Sequence, residues 1–268
     1  FSPFIHNVAS ELTGTQIIYL PFDVHSSNLK SAINGMIALG IKGFNVTLPH
    51  KIKVVEYLSK VSEEAAIVGA VNTIVNDLGK LTGYNTDVHG IFETLNPFKE
   101  EINGSSVTVF GAGGGSRAVL YTLIRHFKPS QINLLNRTEQ HSEYLKQYFK
   151  DKMKCKSIST VELFSPEMTE AIKNSKLIIN TTSVGMYPDV DDSIINSDDL
   201  FRKDQIVFDL VYNPIKTKLL QLAETNGAIA LNGLTMLIHQ AAKSFSLWTN
   251  KEFPVEKVYK SVLLYLGK

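Results

Sequence analysis

A glycine-rich turn set between an apolar strand and a helix narrows the folds open to this chain more than any other feature. Residues 106–110 (SVTVF) read as a short buried strand, and residues 118–127 as an apolar helix. Between them lies Gly111-Ala112-Gly113-Gly114-Gly115-Ser116-Arg117-Ala118. The turn fits G-x-G-G-x-x-A, a variant of the dinucleotide fingerprint. Glycines there let the backbone bend sharply and approach a pyrophosphate resting on the helix N-terminus. A plain βα connection with no ligand is the other reading. Further buried strands are expected at 132–135, 177–180, 206–211 and 228–231, with a polar helix over 138–149. Strands alternating with helices imply a parallel sheet with right-handed crossovers.

The flanking regions have a different rhythm. Ahead of residue 96 the pattern predicts a helix over 3–13 with Phe4, Ile5, Val8 and Leu12 on one side, and a strand over 16–24. A second helix follows over 28–39, with a stripe of Leu29, Ala32, Ile33, Met36 and Ile37 and Gly40 at its end. A strand over 41–47 leads to a helix beginning near Pro49. Residues 70–76 and 81–84 flank Asp77-Leu78-Gly79-Lys80, a hairpin signal. Beyond residue 233, helices are expected over 234–248 and 255–266. The fold class is therefore α/β with two domains. A substrate-binding α/β domain spans 1–95 and 234–268, and a Rossmann-type nucleotide domain with a parallel sheet spans 96–233.

Candidate chemistry begins at Asn45-Val46-Thr47-Leu48-Pro49-His50-Lys51. Proline suits a first helical turn, where its missing N–H would be unpaired anyway. A lysine there opposes the helix dipole, whose field favours the neutral amine. Lys51 is thus either a catalytic group or a solvated cation. Asn72 stands at the start of the hairpin, and Asp87 follows it in Tyr84-Asn85-Thr86-Asp87. Asp87 is an N-cap or, near Lys51, the partner in an acid/base pair. On the 234–248 helix, Leu234, Leu237, Ile238, Ala241, Phe245 and Trp248 form the core stripe at helical spacing. Met236 and Gln240 share a second face, which either lines a cleft or is ordinary surface.

At the end of the second Rossmann strand, an acid would bind the ribose 2′-hydroxyl of NAD. The chain carries Asn136-Arg137-Thr138 instead. Arg137 can pair with a 2′-phosphate and Thr138 can add a hydroxyl, which favours NADP; nearby Glu139 weighs against it. Asn180-Thr181-Thr182-Ser183-Val184-Gly185-Met186 follows a later strand, at the edge where open parallel sheets bind ligands. Turn chemistry alone also accounts for its composition.

Across 268 residues, 44% are hydrophobic and 20% charged, enough for sizeable cores. The net charge of +1 gives no field that would gather nucleic acid or an anionic membrane. Cys155 is the only cysteine, so no intrachain disulfide can form and a reducing, cytoplasmic setting is expected. No apolar run reaches the ~20 residues of a membrane span. The chain opens on Phe1 rather than Met, so numbering is expected to start inside a longer chain or after processing.

Taken together the motifs resemble the shikimate dehydrogenase family. The matching pieces are Ser2 to Asn7, Gly43 to Lys51, Gly69 to Thr73, Tyr84 to Asp87, Gly111 to Ala118, Asn136 to Thr138, Asn180 to Met186, Val211 to Pro214 and Asn232 to Gln240. The resemblance implies reversible hydride transfer between NADPH and the C3 carbonyl of 3-dehydroshikimate. It implies Lys51 and Asp87 as catalytic residues, and Ser2, Asn45, Thr47, Asn72, Tyr212 and Gln240 as further contacts to shikimate. Cofactor positions carried over are Glu63, Gly111, Ala112, Gly113, Gly114, Gly115, Ser116, Asn136, Arg137, Thr138, Thr182, Ser183, Met186, Leu210, Gly233 and Met236. It also implies a strand and a further serine ahead of Ser2. No metal is expected, the partner is a small molecule, and the assembly is a monomer or homodimer. The alternatives are a quinate-oxidising relative that uses NAD, and a non-catalytic ligand sensor.

Overall fold

The computed structural model describes residues 1–267. The chain divides into two compact units, one comprising residues 1–90 and 237–268 and the other residues 91–236. It crosses from one to the other inside the helix Asp87–Leu95 and returns inside the helix Gly233–Thr249.

The first unit opens with α1 (Ser2–Thr13) and α2 (Leu29–Ala38), followed by β1 (Gly43–Asn45), β2 (Lys60–Val61), α3 (Glu63–Val68), β3 (Thr73–Asp77) and β4 (Lys80–Tyr84). Its sheet has the order β1-β3-β4-β2, with β2 parallel to β4 and the other pairs antiparallel. The β3–β4 hairpin turns through Leu78 and Gly79, both at positive φ, as a two-residue loop requires. Leu29, Ile33, Val54, Ile74 and Leu81 form the core under this sheet. α4 (Asp87–Leu95) then leads away.

The second unit contains α5 (Lys99–Ile102), β5 (Ser106–Phe110), α6 (Gly114–Thr122), β6 (Gln131–Leu135), α7 (Glu139–Met153), β7 (Ile158–Val161), α8 (Pro166–Asn174), β8 (Leu177–Asn180), β9 (Ile206–Asp209), α9 (Lys218–Thr225) and β10 (Ile229–Leu231). All its strand pairs are parallel, in the order β10-β9-β8-β5-β6-β7. Counted from β5 that is 3-2-1-4-5-6, the doubly wound Rossmann order. The expected Rossmann sheet is present, with its switch point between β5 and β8. α10 (Gly233–Thr249) and α11 (Val255–Leu266) complete the chain. The whole anticipated stripe of α10 is buried, from Leu234 at 1% exposure to Trp248 at 9%. Among the described residues, no helix is long and apolar enough to cross a membrane.

Three local expectations are corrected. Residues 16–24 form no ladder and no regular secondary structure. Their rungs are made by α1 instead: Asn7 Nδ2 donates to Tyr19 O, Tyr19 N–H donates to Asn7 Oδ1, and Ser10 Oγ donates to Ile17 O. A strand needs a neighbouring strand to pair with, and these residues have side chains of α1 instead. The buried face of α1 is Ile5, His6, Ala9 and Ser10, while Leu12 is half exposed. Finally, Pro49 does not start an α-helix. Residues 48–52 are turns, and a short 3₁₀ segment, Lys53–Tyr57, follows.

His6 is fully buried against Tyr19 (ring centroids 4.5 Å), Trp248 (5.2 Å) and Phe253 (6.5 Å). Neither ring nitrogen has a hydrogen-bond partner. Burial pushes its pKa down to about 3. Between pH 6.5 and about 3 the unfolded chain therefore binds a proton that the folded chain rejects. The contribution is fully present above pH 6.5 and falls by about 1.4 kcal/mol per pH unit below it. His6→Phe removes this dependence. Urea titrations at pH 7, 5.5 and 4.5 should show the stability of the variant rising relative to wild type as pH falls; a constant difference would contradict it.

Candidate active site

In the first unit, a polar cluster gathers around one carboxylate. Lys51 Nζ donates to Asp87 Oδ2 at 2.6 Å, with the two side chains only 17% and 6% exposed. Asn72 Nδ2 donates to Asp87 Oδ1 at 2.8 Å and to Thr86 Oγ1 at 3.0 Å. The Thr86 N–H donates to Asn72 Oδ1 at 2.7 Å. Gln240 Oε1 lies 3.4 Å from Asn72 Nδ2 and from Thr86 Oγ1. Behind these, Asn45 Nδ2 donates to Thr73 Oγ1 at 2.9 Å and to Ser244 Oγ at 3.2 Å, while Tyr19 OH donates to Asn45 Oδ1 at 3.0 Å.

Each side chain has a local reason for its place. Lys51 is held by its own carbonyl, which accepts the Val71 N–H at 2.8 Å. Asn72 precedes β3, and its N–H bonds Tyr84 O on the neighbouring strand. Asp87 is the first residue of α4, where a negative charge is favoured by the helix dipole. The dipole argument for Lys51 fails, because no α-helix begins there. Its defining partner is the carboxylate.

The structure brings Lys51, Asp87, Asn72, Gln240 and Asn45 together in one hydrogen-bonded region. Thr47 is exposed and Ser2 half buried at the start of α1. Glu63 is exposed in the first turn of α3, in this same unit. Tyr212 belongs to the second unit. Thr73, Thr86, Ser244 and Tyr19 were missed. Ser244 follows Gln240 by four residues on α10, so helical spacing was a usable signal.

In the second unit, a cleft of about 360 Å³ opens at the carboxyl edge of the sheet. It is lined by Gly111 after β5, Asn136 and Arg137 after β6, Phe164 after β7, and Thr182 and Ser183 after β8. Gly111 has φ +107°, and a Cβ there would stand 2.5 Å from Thr181 Oγ1. Gly113 precedes α6 at its N-cap, and a Cβ there would meet nothing within 4 Å. The backbone N–H groups of this helix start are therefore open to an approaching anion. Ser116 Oγ is bonded to Thr181 Oγ1, so its hydroxyl serves the turn itself. Arg137 is exposed with no carboxylate partner among the described residues. Thr138 occupies the N-cap of α7 without a side-chain capping bond, and its carbonyl accepts from Asn136 Nδ2 at 2.8 Å. Met186 is 42% exposed beyond the Thr182 turn. Ala112, Gly114 and Gly115 continue the glycine loop; Leu210 packs under Gly115, and Gly233 lies tight against the Leu210 carbonyl. Met236 is buried on α10.

The Thr182 turn is held from below. Asn180 Oδ1 accepts from the Thr182 N–H at 2.9 Å and the Thr182 hydroxyl at 2.7 Å, while Asn180 Nδ2 donates to Asp209 Oδ1 at 2.9 Å. Burial pushes the Asp209 pKa up to about 6, against the opposing pull of Thr217, Val211 and Asn180, which all donate to it. Among the described residues, no group of three or more His, Cys, Asp or Glu could hold a metal.

Residues 1–74 match the shikimate dehydrogenase substrate binding domain, and residues 233–263 match the shikimate 5′-dehydrogenase C-terminal domain. A curated relative, shikimate dehydrogenase (NADP(+)) of Caldanaerobacter subterraneus subsp. tengcongensis, is 43% identical over 97% of this chain and 91% of its own length. The structure of a shikimate dehydrogenase in complex with NADP+ superposes with TM-score 0.92 at 37% identity, covering 100% of this chain and 92% of that one. The shikimate 5-dehydrogenase of Listeria monocytogenes, solved with shikimate and NAD, gives TM-score 0.87 at 36% identity, covering 98% and 91%.

The glycines make separable predictions. Gly111→Ala forces a side chain into a positive φ and against Thr181, and should lower stability by about 1–2 kcal/mol. Gly113→Ala meets no atoms and should leave the melting temperature within about 2 °C of wild type. Equal melting temperatures for both variants would contradict this account of the turn.

Proposed function

The chain belongs to the shikimate dehydrogenase family, and we propose that it catalyses the reversible NADPH-dependent reduction of 3-dehydroshikimate to shikimate, on the route to chorismate and the aromatic amino acids. The observation that carries this reading is the largely buried Lys51–Asp87 pair, braced by Asn72. The first unit would bind the substrate and the second NADP.

The residues suit that chemistry. Reducing a ketone develops negative charge on its oxygen. Lys51 holds a proton at Nζ, stabilises that charge and delivers the proton to the oxygen; in the reverse direction its amine takes the proton from the C3 hydroxyl. Asp87 Oδ2 fixes the amine, and Asn72 fixes the other carboxylate oxygen so that the carboxylate keeps its orientation. A small polyhydroxylated acid needs amide and hydroxyl partners at several points, and Ser2, Asn45, Thr47 and Gln240 would supply them.

NADP fits the second unit's residues. When bound, its nicotinamide supplies or accepts the hydride. The Gly111–Gly115 loop and the α6 N-terminus would receive the pyrophosphate. Arg137, exposed in the cleft and without a carboxylate partner among the described residues, would pair with the 2′-phosphate beside Asn136 and Thr138. Ser116, Thr182, Ser183, Met186, Leu210, Gly233 and Met236 complete the proposed cofactor set. The reading carries with it a cytoplasmic location, which the single thiol supports, and a monomeric or homodimeric state.

Initial rates with shikimate and quinate, each against NADP and NAD, test the reading. Shikimate with NADP should be the best pair; no turnover of that pair would overturn it. Lys51→Ala should lower kcat by roughly 10²–10⁴-fold while circular dichroism stays that of wild type. Near wild-type kcat would remove Lys51 from the chemistry. Arg137→Ala should raise KM for NADP far more than for NAD, and equal effects would remove the 2′-phosphate pairing.

A further inference from the structure

Phe164 is an aromatic ring held in water at a cost. The residue is 82% exposed. Its backbone sits at φ +64°, a left-handed conformation that a bulky residue seldom adopts and that carries a steric penalty. Its neighbour Leu163 packs on the core of the second unit, so the sequence has an apolar residue for the inside and presents a second one outside. The position is rigidly made. Ser165 caps α8 by accepting the Met168 N–H at 3.2 Å, Ser165 Oγ donates to Glu162 O at 3.0 Å, and the Phe164 N–H points to Met168 Sδ at 3.2 Å.

A residue just before an N-cap commonly packs on an apolar residue four places after the cap. Here that place is Thr169, so no hydrophobic staple accounts for the ring. The location accounts for it better. Phe164 lines the same cleft as Arg137. β6 and β7 are adjacent and parallel, with Leu135 opposite Val161. Arg137 lies two residues beyond Leu135, and Phe164 three beyond Val161. They therefore stand at neighbouring strand ends, on the same edge of the sheet.

We propose that Phe164 is a cofactor-binding residue, stacking on the adenine base of NADP. This rests on the reading of the cleft as an NADP site. In that nucleotide the base is joined to C1′ of the ribose whose C2′ carries the phosphate. A site that pairs the 2′-phosphate with Arg137 thus brings the base within one ribose of the next strand end, where Phe164 stands. Base–aromatic stacking is worth enough per base to offset the backbone penalty at this residue. The residue sits on the adenine side only, so it should act on the base and not on the nicotinamide.

Calorimetric titration with adenosine 2′,5′-bisphosphate and with nicotinamide mononucleotide tests this without turnover. Phe164→Ala should weaken the bisphosphate roughly tenfold or more and leave the mononucleotide unchanged. Phe164→Tyr should retain wild-type affinity for both. Wild-type affinity of Phe164→Ala for the bisphosphate would overturn the stacking role while leaving the NADP site intact, as would equal weakening of both ligands. Failure of the wild-type protein to bind the bisphosphate at all would overturn the NADP reading, and the stacking role with it.

Discussion

The Asp87 carboxylate is the tie on which the first unit's polar site depends. One oxygen holds an amine from a turn 36 residues earlier, and the other holds an amide at the start of the β3–β4 hairpin. Charge-assisted bonds of this kind are worth about 1.5–3 kcal/mol each in net terms, more than neutral ones. Asn72 then spends its remaining atoms on Thr86, and Thr86 reaches Gln240 and Ser244 on α10. Segments distant in sequence are thereby locked into one geometry. A lysine with only 17% exposure is kept in place by fixed partners rather than by water, which is what a proton donor needs if it is to meet substrate in a defined position.

The second unit applies a comparable logic to its binding edge. The Rossmann order opens a cleft beyond the strand ends, but the loops lining it must be rigid to cradle a ligand. Asp209 provides this under the Thr182 turn: its buried carboxylate holds Asn180, and Asn180 holds the backbone and hydroxyl of Thr182. Gly111 supplies the bend and Gly113 the open space, so the two glycines of one motif answer different requirements.

Much of this was legible from residue order. The strand 106–110, its glycine turn and the parallel alternation were readable because a fully buried strand followed by glycine has few other meanings. The stripe of α10 was readable from spacing alone. β7 was not, since its residues are half exposed at the sheet edge and carry little apolar signal. α8 was overlooked despite Ser165-Pro166, a serviceable cap and first-turn proline. The helix after Pro49 was misread, because proline marks a helix start only where α-helical residues follow. Lys51 was singled out from a supposed helix start that the structure does not have; its environment is made by Asp87, far away in sequence, which the residues offered as a partner without any local pattern to place it beside the amine. Residues 16–24 show the same limit, as their pairing partners are side chains of α1.

The most direct measurement is the kcat of Asp87→Asn for 3-dehydroshikimate reduction with NADPH, taken alongside the calorimetric affinity of the same variant for shikimate. The substitution keeps the shape and removes the charge that holds Lys51. The account predicts that kcat falls by about 100-fold or more while shikimate still binds within roughly tenfold of wild type. A kcat close to wild type would contradict it, since the carboxylate tie would then have no part in the chemistry.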